Sequence, residues 1–262
     1  MPVIQTLATV VENQELIKDH MVMICEAPEI ARQAQPGHFI NVNASTSITN
    51  ILRKPFSVFH ADPATGRIAM LYQLKGATTH GMSRKQPGDL VDIVGPLGGN
   101  VFTIDPRPNA HHIMVGGGYG VPPLVFLCER LRESGFAGDI TFIVGARSKD
   151  LLLCEADLAN LNVTVRPTTE DGSRGTLGRV TDALREIIDE RSAVYTCGPT
   201  GMMKAVGEMS TAANVACQVS LEVPMPCGVG VCMGCVVNVQ GASHVRACTE
   251  GPVFDARKVI WS

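Results

Sequence analysis

The chain of 262 residues lacks several features that define whole classes of protein. Basic residues are not in excess, because 22 Lys and Arg stand against 25 Asp and Glu, and the resulting charge of −3 is not that of a typical nucleic-acid binder. No apolar run reaches the roughly 18 residues that span a bilayer. The opening MPVIQTLATVVENQ lacks the basic and then apolar pattern of a signal peptide. We therefore expect a cytoplasmic protein with no nucleic-acid or membrane partner.

Cysteine, by contrast, is abundant, and four of the nine cysteines form a spaced group near the C-terminus. In the reducing cytoplasm, so many thiols favour metal binding or catalysis over disulfides. The run CGVGVCMGC and one later cysteine have the spacing C-x4-C-x2-C-x12-C, which is typical of a plant-type [2Fe–2S] cluster. The predicted metal ligands are Cys227, Cys232, Cys235 and Cys248. Zinc is the alternative, but zinc sites usually contain two C-x2-C pairs, and only one is present.

Two kinds of hydrophobic pattern divide the chain. Up to residue 102, short β-rich runs such as FSVFHAD alternate with turn signals and predict an antiparallel β-barrel with one helix near 79–85. After the Pro-rich linker TIDPRPNAHH, buried runs such as HIMVGGG alternate with amphipathic runs such as VPPLVFLCERLRESG, DLLLCEADLANL and LGRVTDALREIIDE. This alternation predicts a parallel sheet flanked by helices. The predicted domains are 1–102, 103–222 and a cysteine-containing subdomain at 223–262.

The glycine-rich run MVGGGYGVPPL at 114–124 follows a predicted strand and opens a predicted helix, as a dinucleotide loop does. It departs from G-x-G-x-x-G because Val121 occupies the third glycine position, so a plain tight turn stays open as an alternative. Glycines still let a pyrophosphate approach the start of a helix. Glu170 and Asp171 follow another strand and favour NADH over NADPH, unless they lie in a solvated loop. Arg147 suits the 2′-phosphate of NADPH, so NADPH stays open as an alternative.

Two segments of the first domain contain residue types that suit a flavin nucleotide. RKPFSV at 53–58 offers a cation, a proline, an aromatic ring and a hydroxyl in succession. YQLKGATTHGMS at 72–83 changes from a strand to Gly and Thr ahead of a helix, whose amides can take a phosphate. By residue type alone, an arginine near a strand start is more often a surface residue.

In combination, R-x-P-F-S, GGGxGVPPL with a later CGP, and CGxGxCxGC resemble the ferredoxin–NADP reductase superfamily. The order of these motifs most closely resembles that of the electron-transfer subunits of class 1B dihydroorotate dehydrogenases, over essentially the whole chain. The resemblance implies an N-terminal FAD-binding β-barrel, a parallel-sheet NAD(H) domain and a C-terminal [2Fe–2S] subdomain. The run VPMP at 223–226 departs from the family, which often has Arg and Met there.

The resemblance also assigns site residues. Those expected to bind FAD are Arg53, Pro55, Phe56, Ser57, Gln73, Leu74, Lys75, Gly76, Thr78 and Thr79. Those expected to bind the nicotinamide nucleotide are Gly117, Gly118, Gly120, Val121, Cys197, Gly198 and Pro199, alongside the acidic pair described above. Ser57, Cys197 and Glu222 would lie nearest the reacting atoms.

The implied activity is electron transfer from NADH through FAD and the cluster to a partner subunit. In the family, that partner contains FMN and oxidises dihydroorotate to orotate in pyrimidine biosynthesis, and a heterotetramer of two plus two subunits is expected. A first alternative is the small subunit of a sulfide dehydrogenase or of an NADH-dependent ferredoxin–NADP oxidoreductase. A second is a non-catalytic zinc-binding or redox-sensing module.

Overall fold

The structure is a computed structural model that describes residues 2–44 and 52–261. Its N-terminal part contains one seven-stranded antiparallel sheet in the order β4-β3-β7-β1-β2-β6-β5. The strands are β1 (Ile4–Ile17), β2 (His20–Glu26), β3 (Phe39–Asn43), β4 (Lys54–Ser57), β5 (His60–Asp62), β6 (Arg67–Gln73) and β7 (Leu90–Leu97). Two helices, α1 (Pro28–Gln33) and α2 (Ala77–Ser83), accompany them.

This sheet curls into a half-barrel. Strands β4 and β6 lie near opposite ends of the strand order and nevertheless contact each other. Phe56 of β4 meets Tyr72 of β6 edge to face, with 6.0 Å between the ring centroids. Alternate residues of the strands point inward, so that Met23, Ile40 and Met70 are fully buried in the half-barrel core. The antiparallel β-barrel prediction is thus confirmed.

The half-barrel differs from the sequence prediction in two places. The run FSVFHAD, predicted as one strand, is divided between β4 and β5, because the buried Val58 and Phe59 carry the chain from one end of the sheet to the other. Their amides donate hydrogen bonds to the carbonyl oxygens of His38 and Ala69, at 3.0 and 2.9 Å. Helix α1 was not predicted, although Pro28 at its first turn is a recognised start signal.

The second part of the chain forms a seven-stranded sheet in the order β11-β10-β9-β8-β12-β13-β16. Its strands are β8 (His111–Gly117), β9 (Ile140–Ala146), β10 (Thr164–Thr169), β11 (Thr176–Leu177), β12 (Ser192–Cys197), β13 (Ala216–Ser220) and β16 (Val253–Asp255). All neighbours are parallel except β13 and β16. The helices are α3 (Val121–Glu133), α4 (Glu155–Ala159), α5 (Val180–Arg185) and α6 (Thr200–Ala212). The predicted parallel sheet is confirmed.

The predicted helix DLLLCEADLANL is wrong over its first half. Leu152 and Leu153 are buried in an irregular segment that follows a short 3-10 turn at Lys149–Leu151. Cys154 has a left-handed backbone with φ of 60°, so helix α4 begins only after it. Leu152, Leu153 and Cys154 enter the core in sequence, rather than on one face of a helix, whereas Leu151 is exposed. Helix α5 is likewise shorter than the predicted LGRVTDALREIIDE.

The strand order determines where a ligand can bind to the parallel sheet. From β8 the chain proceeds to β9 on one side and later to β12 on the other, so the order reverses between β8 and β12. Ligands of open parallel sheets bind at such a reversal, beyond the carboxyl ends of the strands. The outer face of the half-barrel packs here, where Phe59 and Leu71 join Leu124 and Val125 of α3 in one apolar cluster.

The C-terminal segment returns to both sheets. It contains the hairpin of β14 (Val236–Val239) and β15 (Ala242–Arg246) and the short helix α7 (Ala247–Glu250). The carbonyl oxygen of Gly251 accepts hydrogen bonds from the amides of Gly99 and Asn100, at 2.7 and 2.8 Å. The buried Asn41 donates its side-chain amide to the carbonyl oxygen of Met225 at 3.2 Å. Among the described residues, none of the helices is long and apolar enough to cross a membrane.

Candidate functional site

A first cavity of about 710 Å³, here called the flavin cavity, lies between the half-barrel and the parallel sheet. Its walls combine the rings of Phe39, Phe56 and Tyr72 with main chain and hydroxyl groups from the start of α2. The predicted flavin residues in this lining are Pro55, Phe56, Ser57, Gln73, Lys75, Gly76, Thr78 and Thr79. Aromatic walls at one end and polar groups beside glycine at the other fit a ring system joined to phosphates.

Two predicted flavin residues lie outside this lining. Arg53 forms an ion pair with the Asp92 carboxylate and donates a hydrogen bond of 3.1 Å to the carbonyl oxygen of Asp92. Leu74 packs partly buried against the core of the half-barrel, and its amide donates to the carbonyl oxygen of Asp19 at 2.8 Å. Their contact with FAD stays a prediction.

A second cavity of about 620 Å³, the nucleotide cavity, lies at the carboxyl ends of β8, β9 and β10. Four predicted nucleotide residues line it, namely Gly117, Gly118, Glu170 and Pro199. Arg147 and Arg179 line it as well, so two guanidinium groups accompany the single carboxylate of Glu170. Such cations suit the phosphates of a dinucleotide.

The other predicted nucleotide residues lie next to this cavity and outside its lining. A Cβ atom on Gly120 would lie 2.0 Å from the carbonyl carbon of Cys197, so only glycine permits this approach. Gly198, with φ of +146°, packs against Gly117 from the same side. Because β8 and β12 are parallel neighbours, the loops GGGYG and CGP meet at this point. Val121 is fully buried at the start of α3.

Asp171 also lies outside the lining of the nucleotide cavity. Its carboxylate accepts hydrogen bonds from the hydroxyl and the amide of Ser173, at 2.6 and 2.9 Å. These bonds lower the pKa of Asp171 and hold the carboxylate against its own loop. Of the acidic pair, only Glu170 therefore faces the nucleotide cavity.

Cys197 and Glu222 meet in the flavin cavity, and their role near the reacting atoms stays a prediction. The Cys197 Sγ atom lies 3.9 Å from the Glu222 carboxylate. Burial raises the pKa of the Cys197 thiol well above its ordinary range, and the Glu222 charge raises it further. Burial by the surrounding protein also raises the pKa of Glu222. The thiol therefore keeps its proton and donates a weak hydrogen bond toward the Glu222 carboxylate.

The four predicted metal ligands lie on the loop after Glu222 and at α7. The Sγ atoms of Cys235 and Cys248 are 3.2 Å apart. Cys235 and Cys248 are buried, whereas Cys227 is half-buried and Cys232 is exposed. In residues 2–44 and 52–261, no three His, Cys, Asp or Glu side chains converge on a single-ion site.

The environment of Cys227 suits a thiolate ligand. Burial disfavours ionisation of Cys227, but hydrogen bonds from the amides of Cys232 and Val229 outweigh it and lower the pKa to about 6. The Gly234 amide approaches the Cys232 Sγ atom at 3.4 Å. Gly228 and Gly230 have φ of +70° and +78°, the left-handed backbone that turns successive amides inward. Inward amides are the donors that the sulfur atoms of an iron–sulfur cluster accept.

Sequence reasoning missed two residues at the border of the cavities. Tyr119 lines both cavities, and His20 lines the nucleotide cavity. They are 99 residues apart in sequence; His20 belongs to no motif, and Tyr119 is only the variable position of GGGxGVPPL. Only the position of Tyr119 between two glycines could have drawn attention to it.

A half-barrel packed against a parallel sheet, with one cavity between them and another beside it, defines a flavin reductase of the ferredoxin–NADP reductase type. The cysteine loop adds an iron–sulfur domain to this class. The iron–sulfur cluster binding domain of dihydroorotate dehydrogenase B matches residues 222–260, and the oxidoreductase NAD-binding domain matches residues 114–208. These matches confirm the predicted [2Fe–2S] and NAD(H) domains, and the reductase fold supports FAD.

Whole-chain comparisons agree. The chain is 38% identical over 241 residues to the dihydroorotate dehydrogenase B (NAD(+)) electron transfer subunit of Desulforamulus reducens, with 90% of each chain covered. It is 36% identical over 254 residues to that of Geobacillus kaustophilus, covering 95% and 96%. The chain belongs to the family of dihydroorotate dehydrogenase B (NAD(+)) electron transfer subunits.

Solved structures extend the likeness. A chain from the structure of an NADH-dependent reduced ferredoxin–NADP oxidoreductase, described in work on flavin-based electron bifurcation, has a TM-score of 0.86 and 32% identity. It covers 98% of this chain and 90% of its own. A ferredoxin NADP+ reductase from Neisseria gonorrhoeae shares the fold, with a TM-score of 0.65 at 15% identity, covering 80% and 91%.

Proposed function

We propose that this chain transfers electrons from NADH, by way of FAD and a [2Fe–2S] cluster, to the catalytic subunit of a dihydroorotate dehydrogenase. When bound, FAD takes up two electrons together as a hydride, and the cluster passes electrons one at a time. The protein supplies binding, orientation and the exclusion of water.

One observation carries the proposal. The short segment from Glu222 to Cys227 leads directly from the flavin cavity to the cluster loop. Glu222, Val223 and Met225 line the flavin cavity, and Cys227 follows two residues later. The flavin cavity in turn shares lining residues with the nucleotide cavity. The three sites thus form a continuous series in the order that electrons from NADH require.

The residues of each site have distinct tasks in this proposal. Gly118 and Pro199 let the dinucleotide approach the sheet, and Arg147 and Arg179 offset its phosphate charge. Phe56 and Tyr72 form apolar walls that exclude water from the flavin ring. Arg53, Ser57 and Leu74 are proposed to contact FAD, and the Cys197 thiol would hold a proton at the wall of the flavin cavity.

The finer features of the assembly belong to the proposal as well. The partner is proposed to contain FMN and to oxidise dihydroorotate to orotate, in a cytoplasmic heterotetramer of two subunits of each kind. The domain boundaries are proposed at 102 and 222. The match of the iron–sulfur domain from residue 222 onward supports the second of them.

A second candidate function is the small subunit of an NADH-dependent ferredoxin–NADP oxidoreductase. The TM-score of 0.86 to a chain of such an enzyme favours it. The run VPMP after Glu222 is one place where the chain departs from the dehydrogenase pattern. The two candidates share cofactors and differ in the partner, so the partner decides between them.

The test is anaerobic purification of the chain, alone and with its co-purifying partner, followed by absorption spectra before and after NADH. Flavin and iron–sulfur bands that bleach with NADH, together with dihydroorotate-dependent NAD+ reduction in the complex, support the proposal. Bleaching without any dihydroorotate activity favours the second candidate. A colourless chain that contains zinc overturns both and favours a regulatory module.

A further inference from the structure

The flavin cavity and the nucleotide cavity share only two lining residues, Gln73 and Tyr119, among the residues that the structure describes. Gln73 ends strand β6 and pairs in register with His20 at the start of β2. Tyr119 comes from the other domain, in the 3-10 turn Gly118–Gly120 between β8 and α3. The border between the cavities is therefore built from both domains, and Tyr119 is the contribution of the nucleotide domain.

Tyr119 is held against His20 by two contacts. The rings are stacked, with centroids 5.5 Å apart and planes 16° from parallel. The Tyr119 hydroxyl lies 3.0 Å from His20 Nε2. His20 is itself buried, and its Nδ1 lies 2.8 Å from the carbonyl oxygen of Lys18. Since a carbonyl oxygen only accepts hydrogen bonds, Nδ1 must carry a proton. In that neutral tautomer, Nε2 accepts a hydrogen bond from the Tyr119 hydroxyl.

The backbone of this turn is fixed more firmly than the Tyr119 side chain. Gly120 touches the main chain of Cys197, which anchors the turn on β12. Gly118, with φ of +53°, supplies the left-handed residue that the turn needs. The Tyr119 ring, by contrast, is only half-buried and faces cavity space on two sides. Rotation about its Cα–Cβ bond can move the ring without disturbing the turn.

We propose that Tyr119 is a positioning residue that closes the passage between the two cavities, and that the nicotinamide ring of NADH displaces it from His20. The inference rests on the proposed function. Hydride transfer needs reacting atoms within about 3–3.5 Å, so a dinucleotide held in the nucleotide cavity must extend its nicotinamide end into the flavin cavity. Tyr119 lies at that border. Its bond to His20 thus opposes binding of the nicotinamide end and leaves the adenosine end unaffected.

The test compares Tyr119→Phe with the unaltered chain, both loaded with FAD, in titrations with two probes. NAD+ contains the nicotinamide, and ADP-ribose lacks it. Losing one hydrogen bond should tighten NAD+ binding about two- to tenfold. The Kd of ADP-ribose should not change. In turnover with NADH and an artificial acceptor, KM should fall by a similar factor, while the rate of flavin reduction at saturating NADH stays the same.

Tyr195→Phe is the matched control. Tyr195 is stacked on His112 at 5.8 Å and 22°, and its hydroxyl lies 3.2 Å from His112 Nδ1. This second Tyr–His pair lines neither cavity, so its loss should leave both probes unchanged. Unchanged or weaker NAD+ binding by Tyr119→Phe, with ADP-ribose bound normally, overturns the inference. If the unaltered chain binds neither probe, the proposed function itself fails.

Discussion

The thiol of Cys197 and the carboxylate of Glu222 face each other across 3.9 Å, at the point where the last parallel strands end and the segment toward the cluster begins. One residue belongs to the CGP loop that packs on the glycine-rich turn, and the other opens the match to the iron–sulfur domain. The pair therefore marks where nucleotide domain, flavin cavity and cluster segment meet.

Glu222→Gln should raise the stability of the apoprotein at neutral pH. Burial raises the pKa of Glu222, so the folded state binds more protons than the unfolded state, and stability falls as pH rises through the folded pKa. The gain should be about 1 kcal/mol or less, because Glu222 lines the flavin cavity and much of its surface is exposed. Urea unfolding at pH 4 and pH 8 measures it. Equal gains in stability at both pH values, or a similar gain from the exposed Glu208→Gln, would contradict the prediction that the charge of Glu222 destabilises the folded state.

Cys232→Ser should separate the two halves of the electron path. Flavin reduction by NADH should persist, because the nucleotide and flavin cavities do not include the cluster loop. Transfer to the partner and the iron–sulfur absorption bands should be lost. Cys217→Ala, outside that loop, should keep the bands. Undiminished coupled turnover in the serine variant would disprove the role of the cluster.

Arg53→Ala tests whether this side chain leaves Asp92 to bind FAD. If the guanidinium binds a flavin phosphate, its removal should raise the Kd of FAD about ten- to a hundredfold, as expected for a charge-assisted bond. Asp92→Asn removes the ion pair and keeps the cation, so the Kd of FAD should stay the same or fall. Fluorescence titration of apoprotein with FAD measures both. Equal losses in the two variants would indicate a structural ion pair instead.

His60 joins the half-barrel to the nucleotide domain. Its Nδ1 lies 2.6 Å from Glu129 of α3, and its Nε2 lies 3.7 Å from Asp157 of α4. Burial lowers the pKa of His60, but the hydrogen bonds and charges of Asp157 and Glu129 outweigh it and raise the pKa to about 9.

The consequence is a pH-dependent stability. Because the folded pKa exceeds the unfolded value of about 6.5, the contribution is complete below pH 6.5 and disappears as pH rises through 9. We expect a loss of about 1–2 kcal/mol over that interval, discounted for partial exposure. His60→Gln should flatten this part of the stability profile, whereas the exposed His244→Gln should not.

Gly120→Ala should destabilise the protein by about 1–3 kcal/mol, because the new methyl group would overlap the Cys197 main chain. Gly201→Ala is the matched control. A Cβ there meets nothing within 4 Å, and in helix α6 alanine should stabilise by about 0.5–1 kcal/mol. Thermal unfolding measures the two. A neutral Gly120→Ala would show that the turn shifts without cost.

The parts of the site that the sequence predicted are local. The spacing of Cys227, Cys232 and Cys235 predicts a cluster loop because the geometry of the metal centre dictates the intervals. GGGYG predicts a nucleotide turn for the same kind of reason. The helix predicted over DLLLCEADLANL was wrong over its first half, because a run of leucines has the same composition in a helix and in an irregular core segment.

The parts that could not be predicted are contacts between distant residues. That Gly120 supports Cys197 follows from the parallel pairing of β8 with β12, and that Tyr119 meets His20 follows from the packing of two domains. Asp171 was predicted to hold a ribose, yet Ser173, two residues along, occupies its carboxylate. Local patterns do not reveal which of two acceptable partners a side chain takes.

The hydrogen bond from Asn41 to Met225 joins residues 184 positions apart. The amides of Gly99 and Asn100 likewise donate to the carbonyl oxygen of Gly251, which lies far along the chain. A ribosome makes the half-barrel first, and Met225 and Gly251, which contact it, emerge only much later. The cysteine loop gains its supporting contacts only then. A chain that stops short of residue 251 therefore lacks the main-chain contacts that tie the cysteine loop to the half-barrel.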